Sequence, residues 1–372
     1  MAKKTKSKKT KSLQSIMNKY SQVSLASEMY NEVENMPWLP SRSLVMNWVM
    51  GGGIPFGKVL ELFGQESSGK SLVALDFLAV CQKLGGWGMW VDAESSYSKG
   101  WWTTNGIDLS KVLVFHENAI EVISDWTIET ARALRKKLTH NEPILYVLDS
   151  IAALDTIERL EMEQTDEKAE MGIRAKAMGN FLRKRSKELA DLGVTCIFIN
   201  QLRKKLGTMF EDPETTPGGE AMKFFAHIRM GFYRKKQIKE KVHGKETWVG
   251  NYVSLRMKKN KVAPPRPTME TEVYFLADYC QPGFSRYAGL AEVLESSGAV
   301  KREKGSSIYY DKDGNKIARG EEALQSLLEE NKEMRSKLIK LAGINTFSNT
   351  KKILEDLNDK EINLFPVGEE EE

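Results

Sequence analysis

Three cysteines, four histidines and no long apolar run set the first limits on this chain of 372 residues. Cys81, Cys196 and Cys280 lie far apart, with none of the paired spacings of a disulfide or zinc framework. They fit a reducing compartment and small buried hydrophobes. His116, His140, His227 and His243 are equally scattered, so no structural metal is expected. A bilayer-crossing helix needs roughly 18 or more consecutive apolar residues, and no run comes near that, so no membrane partner is expected. The lysine-rich start lacks the apolar segment of a secretory signal, and the expected location is cytoplasmic. No long internal repeat is visible. With 41% hydrophobic and 28% charged residues the bulk is globular and soluble, long enough for one large domain plus a smaller one.

Charge is scarce in sum, at +4, but strongly segregated. Lys3, Lys4, Lys6, Lys8, Lys9 and Lys11 crowd the start without an acid among them, and the chain closes on Glu369, Glu370, Glu371 and Glu372. Opposite-sign ends of this kind serve either as interaction arms or simply for solubility.

What is present is more specific. Gly64, Gln65, Glu66, Ser67, Ser68, Gly69, Lys70 and Ser71 match the phosphate-loop pattern G-x-x-x-x-G-K-[ST]. Apolar Val59, Leu60, Leu62 and Phe63 precede it as a buried strand would, and Leu72, Val73, Leu75, Phe77 and Leu78 follow on a helix-compatible run. Glycines let backbone N–H groups face a phosphate without an intervening Cβ, and the helix start adds partial positive charge. Lys70 would reach the β/γ-phosphates and the Ser71 hydroxyl would ligate Mg²⁺. The alternative is a chance Gly-rich turn before a helix.

Around this motif strands and helices alternate. Strands are expected at 59–63, 88–92, 112–115, 144–149 and 195–200, with helices at 120–138 and 172–192. Short continuous apolar strands between helices predict a mostly parallel sheet covered on both faces, with ligands at the carboxyl ends of its strands. Segments 226–233 and 251–258 read as β and flank an expected charged turn at 234–247. After Gln281-Pro282-Gly283 a smaller unit reads as helix (286–296), hairpin (308–317) and helix (321–340), and residues beyond 345 read as a flexible tail. At the other end, Leu13, Ile16, Met17 and Tyr20 recur at helical spacing, a lone stripe that must pack on something else.

Asp149 ends an apolar strand and is expected in the Mg²⁺ shell; a helix cap is the plainer alternative. Glu94, just past Val91-Asp92-Ala93, is the candidate general base, against a merely solvated acid. Gln201 closes Ile197-Phe198-Ile199-Asn200, where an amide can sense a γ-phosphate. The stretch 202–218 combines Arg203, Lys204 and Lys205 with Met209 and Phe210. Cations neutralise phosphates and apolar side chains stack or wedge between bases, so single-stranded nucleic acid is the expected ligand. A lid over nucleotide is the alternative. A second segment, 158–172, ends in Met171 and Gly172 and leads into a helix carrying Arg174 and Lys176 among other cations, some of them simply solvated.

Together these segments resemble a RecA-type recombinase. The resemblance runs from about Leu13 to Leu341 and rests on Gly64–Ser71, Val91–Glu94, Leu148–Leu154, Phe198–Gln201, Met209-Phe210 with Pro213–Gly219, and Lys259-Asn260-Lys261. It implies an α/β fold: a P-loop RecA-type core with a mostly parallel sheet flanked by helices, an N-terminal helical arm and a small α/β C-terminal domain. The implied division is a basic tail with an oligomerisation helix (1–40), an ATPase core (41–282) with DNA-binding loops near 158–172 and 202–218, a domain that gathers duplex DNA (283–344), and a flexible acidic tail (345–372). It implies ATP and Mg²⁺ as cofactors, single- and double-stranded DNA as partners, and a helical homo-oligomer with ATP between subunits. By it, Lys70, Ser71, Asp149 and Glu94 keep the roles that their positions suggest, and Gln201 couples nucleotide state to the second DNA loop. Met171 and Gly172 would belong to the first DNA loop, and Lys259 and Lys261 would be supplied to the γ-phosphate of the neighbouring subunit. On the residues alone, Lys259 and Lys261 read as a surface pair. The adenine-stacking aromatic falls on Trp101, with Trp102 as the alternative register; it replaces the usual tyrosine. Ser98 stands where relatives place an acid.

The implied activity is an ATP-dependent recombinase acting on homologous DNA, with DNA-dependent ATP hydrolysis. A hexameric helicase built on the same core is the first rival, and a DNA-binding regulator with a vestigial ATPase the second.

Overall fold

The computed structural model of the chain describes Ser15, Met17 and Lys19 and residues 36–139, 141–161, 167–204 and 214–359. The basic N-terminal lysines, Leu13, Ile16 and Tyr20, Lys205, Met209, Phe210 and the closing glutamates lie outside the described residues. Residues 1–37 and 38–372 form separate compact units, and the sheets belong to the second.

Its strands are β1 (Trp38–Leu39), β2 (Ile54–Pro55), β3 (Val59–Gly64), β4 (Trp87–Asp92), β5 (Val112–Phe115), β6 (Ile144–Asp149), β7 (Val194–Gln201), β8 (Arg203–Lys204), β9 (Glu214–Thr215), β10 (Ile228–Val242), β11 (Lys245–Asn260), β12 (Met269–Tyr274), β13 (Gly283–Phe284), β14 (Lys301–Arg302), β15 (Ile308–Tyr310) and β16 (Lys316–Arg319). Nine of them form one sheet in the order β13-β12-β11-β10-β3-β7-β6-β4-β5. The run from β10 to β5 is parallel, and β11, β12 and β13 extend it antiparallel. This is the expected mostly parallel α/β core.

Its central strands are buried on both sides because helices cover both faces, so they carry continuous rather than alternating apolar residues. Leu60, Leu62, Val147 and Ile199 face one cluster, which includes the helix Lys70–Lys83. Val59, Tyr146, Leu148, Cys196 and Phe198 face the other, packed under Ile120–Lys137 and Glu167–Asp191. Lys70–Lys83 is buried nearly all round. Its one interior acid, Asp76, is neutralised by the Arg42 guanidinium and by the Arg42 backbone N–H at 2.8 Å.

Several expectations change. The charged turn expected at 234–247 is only His243-Gly244, both with positive φ, and the charged residues on either side belong to β10 and β11. Two consecutive left-handed residues match the tight hairpin turn whose twist suits flanking strands. A ribbon with solvent beside it tolerates lysines in place of an alternating apolar face, which hides the strands from a hydropathy reading. The helix expected at 321–340 is two, Glu321–Glu330 and Lys332–Leu341, because the Asn331 side chain caps the second by accepting from Met334 N–H. Residues 347–359, expected within a flexible tail, form a helix that buries Thr350, Leu354 and Leu357, and the Thr350 hydroxyl donates to the Trp38 carbonyl at 2.7 Å. Residues after 283 share the large apolar cluster with Val45, Met46 and Leu72.

His227 links β3 to the start of β10: its Nδ1 accepts the Val59 N–H at 3.2 Å. That bond needs a neutral ring. Burial first, then Lys58, Lys261 and Lys259, lowers its pKa from 6.5 to about 4. The unfolded chain therefore takes up the proton first, so this contribution is lost as pH falls from about 6.5 toward about 4. Thermal unfolding measured across that window is expected to depend less steeply on pH in His227→Asn, whose amide oxygen can accept the same N–H without titrating. An unchanged slope would show that His227 does not set it.

Candidate nucleotide and DNA site

The phosphate loop leaves the carboxyl end of β3 and enters the helix Lys70–Lys83. Gly64 has no room for a side chain, since a Cβ would lie 2.3 Å from the Phe232 carbonyl oxygen, and Gly69 sits at φ 91° against Phe284. Glycine is therefore required at both fixed positions. Gln65, Glu66 and Ser67 are exposed, while Ser68 is buried and donates to the Gln65 carbonyl at 2.8 Å. Lys70 is buried, and its ammonium donates to the carbonyls of Gly64 at 3.2 Å and Gln65 at 2.7 Å. Burial lowers its pKa against the opposing pull of Asp149, Glu94 and Glu66. The cation is thus folded over the mouth of its own loop.

Asp149 ends β6 next to β4 and beside Ser71. Burial pushes its carboxyl up to about 6; Glu94 and Asp92 add to this, while Ser71 and Lys70 work against it. Glu94 is exposed just past β4, and one of its oxygens accepts from the Ser150 hydroxyl and, at 3.4 Å, from the Gln201 amide. The structure therefore brings the ends of β3, β4, β6 and β7 together at one edge of the sheet, with Lys70, Ser71, Glu94, Asp149 and Gln201 on them. Asp92 shapes the following turn, accepting from Ser96 N–H at 2.9 Å and Tyr97 N–H at 2.8 Å. Trp102 is core, packed edge-on against Trp90 and Tyr97. Trp101 is only half-buried.

Ser71 and Asp149 fit a magnesium ion. The Asp149 carboxylate and the Ser71 hydroxyl lie side by side as oxygen donors, the kind of ligand this ion takes. Among the described residues no cage of three or more metal-ligating side chains exists, which suits an ion held mainly by phosphate and water.

The first DNA segment differs from expectation. Instead of one loop over 158–172, residues 157–160 and 167–191 are helical, so Met171 and Gly172 sit in the early turns of a helix. The second segment has a stem: β8 and β9 pair antiparallel, Arg203 opposite Thr215 and Lys204 opposite Glu214. Arg174 and Arg203 line one cavity of about 180 Å³ with Met178, Thr216 and Pro217. Lys176 is exposed and opens on a different groove.

Lys259 and Lys261 are elsewhere. Lys259 pairs with Arg229, which pairs with Glu61 in the middle of β3, three residues before the glycine at which the loop leaves it. Strand geometry puts Lys259 roughly 14 Å from Gly64, beyond a lysine's reach. Its ammonium donates to the Lys223 carbonyl and, at 3.1 Å, to that of Phe224, whose ring is 71% exposed. The residues that sequence reading missed are Glu61, Asn200 and Arg229, which join these two regions.

A family model described as RecA N-terminal domain matches residues 7–279. Protein RecA of Frankia alni is 34% identical over 304 residues, covering 81% of this chain and 82% of that one. Protein RecA of Picosynechococcus is 35% identical over 297 residues, with 79% and 78% covered. Protein RecA of Cytophaga hutchinsonii is 31% identical over 333 residues, with 87% and 88% covered.

Proposed function

The chain belongs to the RecA family, and we propose that it assembles on single-stranded DNA as an ATP-bound helical filament that pairs the strand with homologous duplex. Its function is recombination and repair, with DNA-dependent ATP hydrolysis. The observation that carries the mechanism is the Glu94 carboxylate, held between Ser150 and Gln201 at the edge where the phosphate loop opens.

ATP brings its phosphates to the backbone N–H groups of the loop, and Lys70 swings from the Gly64 and Gln65 carbonyls onto them. Trp101 stacks on the base. Ser71 and Asp149 would hold magnesium, which would supply charge neutralisation on the phosphates. Glu94 takes the proton of the attacking water. Gln201 exchanges Glu94 for the γ-phosphate, which carries nucleotide state into the 203–215 segment. Lys259 and Lys261 act on the site of the next subunit, because their own phosphate loop is out of reach.

Arg174, Lys176, Arg203, Lys204 and Lys205 supply backbone charge, and Met171, Met209 and Phe210 supply apolar contact. Such contacts read no sequence. Homology is tested by base pairing, and exchange between matched strands is close to neutral in energy. Residues 1–40 serve assembly, and the unit from 283 gathers duplex. A groove of about 750 Å³ lined by Arg286, Lys332, Arg335 and Lys340 supports that role. The acidic end restrains duplex uptake.

ATP hydrolysis measured with and without single-stranded DNA over a range of protein concentrations, with electron microscopy of the same samples, tests this reading. Strong, protein-cooperative stimulation with helical filaments is expected. Closed rings would favour a helicase, and hydrolysis indifferent to DNA would remove the DNA role of both segments. Among the described residues no helix is long and apolar enough to cross a membrane.

A further inference from the structure

We infer that the buried Glu61–Arg229 pair is a positioning relay that couples the Gln201 end of one nucleotide site to Lys259, the lysine presented to the next. The inference rests on the reading of Lys259 as acting in trans.

Glu61 is fully buried in the middle of β3, where Val59, Leu60, Leu62 and Phe63 are apolar. An ionised carboxylate in such a place needs partners on every side, and it has two. The Arg229 guanidinium binds one oxygen, and the Asn200 amide donates to the other at 3.0 Å. Asn200 is itself fully buried and saturated: its amide also donates to the Pro217 carbonyl at 2.9 Å, and its oxygen accepts the Gln201 N–H at 3.0 Å. One side chain thus holds the end of β7, the exit of the second DNA segment and Glu61.

On the other side, Arg229 stands directly opposite Lys259 in the β10–β11 ladder. A register shift makes this so. Arg229 pairs with Lys259 but Met230 pairs with Met257, leaving Lys258 as the extra residue. Without that bulge, Lys259 would share a face with Met257, on the other side of the sheet. The bulge turns it onto the face of Arg229 and Glu61, re-aiming a side chain as bulges do. The helix Ala221–Phe225 lies on that face and offers Lys259 the carbonyls of Lys223 and Phe224. Burial, Lys261 and Arg229 lower the Lys259 pKa while Glu61 raises it.

The result is one chain of polar contacts, Glu94–Gln201–Asn200–Glu61–Arg229, with Lys259 opposite its last member; from Gln201 to Lys259 it crosses the four adjacent strands β7, β3, β10 and β11 over roughly 14 Å. Its switching member is Gln201, which binds Glu94 here and exchanges it for the γ-phosphate in the proposed cycle. Asn200 is bonded to the Gln201 backbone and shares Glu61 with Arg229. A shift of the β7 end therefore changes how Arg229 is held, and with it the charge that faces Lys259 across the ladder. A two-state element biased at both ends is the physical requirement for coupling between sites. A purely stabilising role is the weaker account, since an apolar pair of similar volume generally serves a core as well as a buried ion pair.

Glu61→Gln removes the charge at constant size, and Glu61→Leu with Arg229→Met replaces the pair by apolar residues without stranding a charge. Coupling between sites predicts a Hill coefficient for ATP above 1 in DNA-stimulated hydrolysis by the wild-type filament; in both variants it is expected to fall to about 1, while DNA-independent hydrolysis is unchanged. Wild-type cooperativity in the apolar pair overturns the relay, whatever happens to thermal stability. The trans reading is checked separately by mixing Lys259→Ala with Glu94→Gln protomers. No recovery there removes Lys259 from the neighbouring site, whereas recovery together with wild-type cooperativity in the Glu61 variants removes the relay alone.

Discussion

Glu94→Gln is expected to slow DNA-stimulated ATP hydrolysis by ~10²–10⁴-fold, the usual contribution of a positioned proton acceptor, while ATP-dependent binding to single-stranded DNA survives. The substitution is nearly isosteric. A glutamine oxygen at 94 can still accept from Ser150 or from the Gln201 amide, the two groups that hold the native carboxylate. It cannot take a proton from water. Glu94 makes none of the contacts that shape the phosphate loop, which depends instead on Gly64, Ser68, Gly69 and Lys70. Binding and turnover should therefore separate, and fluorescence anisotropy with a labelled oligonucleotide beside a phosphate-release assay measures both on one sample. Lys70→Ala is the contrast, expected to lose both together. Unchanged turnover in Glu94→Gln would remove Glu94 as the base. Loss of DNA binding as well would mean that its contact with Gln201 sets the geometry of the DNA segment.

The parts of this site legible in the sequence are those whose chemistry is local in the chain. The phosphate loop is eight consecutive residues, and its glycines are fixed by contacts that no side chain could accommodate, as at Gly64 against the Phe232 carbonyl. Asp149, Glu94 and Gln201 are readable because each follows an apolar strand, and parallel sheets gather such ends. The choice between two neighbouring aromatics is legible only to within a residue. Trp101 and Trp102 are adjacent and alike, and burial against Trp90 and Tyr97 assigns Trp102 to the core. The Glu61–Arg229–Asn200 cluster is not legible. Its members lie at 61, 200 and 229, and Lys259 joins them only through a bulge in β11 that leaves no mark in hydropathy. The β10–β11 ribbon misleads for a related reason, since strands lined with lysine look like a turn until their partner is known. The helix at 347–359 has Leu354 and Leu357 at helical spacing, a signal diluted by the polar residues around them.

Lys259→Ala should be the most disabling single change outside the phosphate loop. A cation delivered across a subunit interface to a reacting phosphate is typically worth ~10³–10⁵ in rate. Loss of activity alone would not show that the residue acts in trans, but mixing would. In filaments co-assembled from equal amounts of Lys259→Ala and Glu94→Gln protomers, about a quarter of the interfaces unite an intact Glu94 with an intact Lys259, as expected for head-to-tail contacts. Hydrolysis should then return to about a quarter of wild type, although each protein alone is nearly inactive. Filaments of each variant formed separately and then combined should recover only as fast as subunits exchange. A lysine acting within its own subunit gives no recovery in either case, because no protomer in the mixture carries both groups. The separation of Lys259 from its own phosphate loop makes recovery the expected outcome. Lys259 stands level with Glu61 in the middle of β3, anchored on the Lys223 and Phe224 carbonyls, while the phosphate loop opens beyond the strand's end.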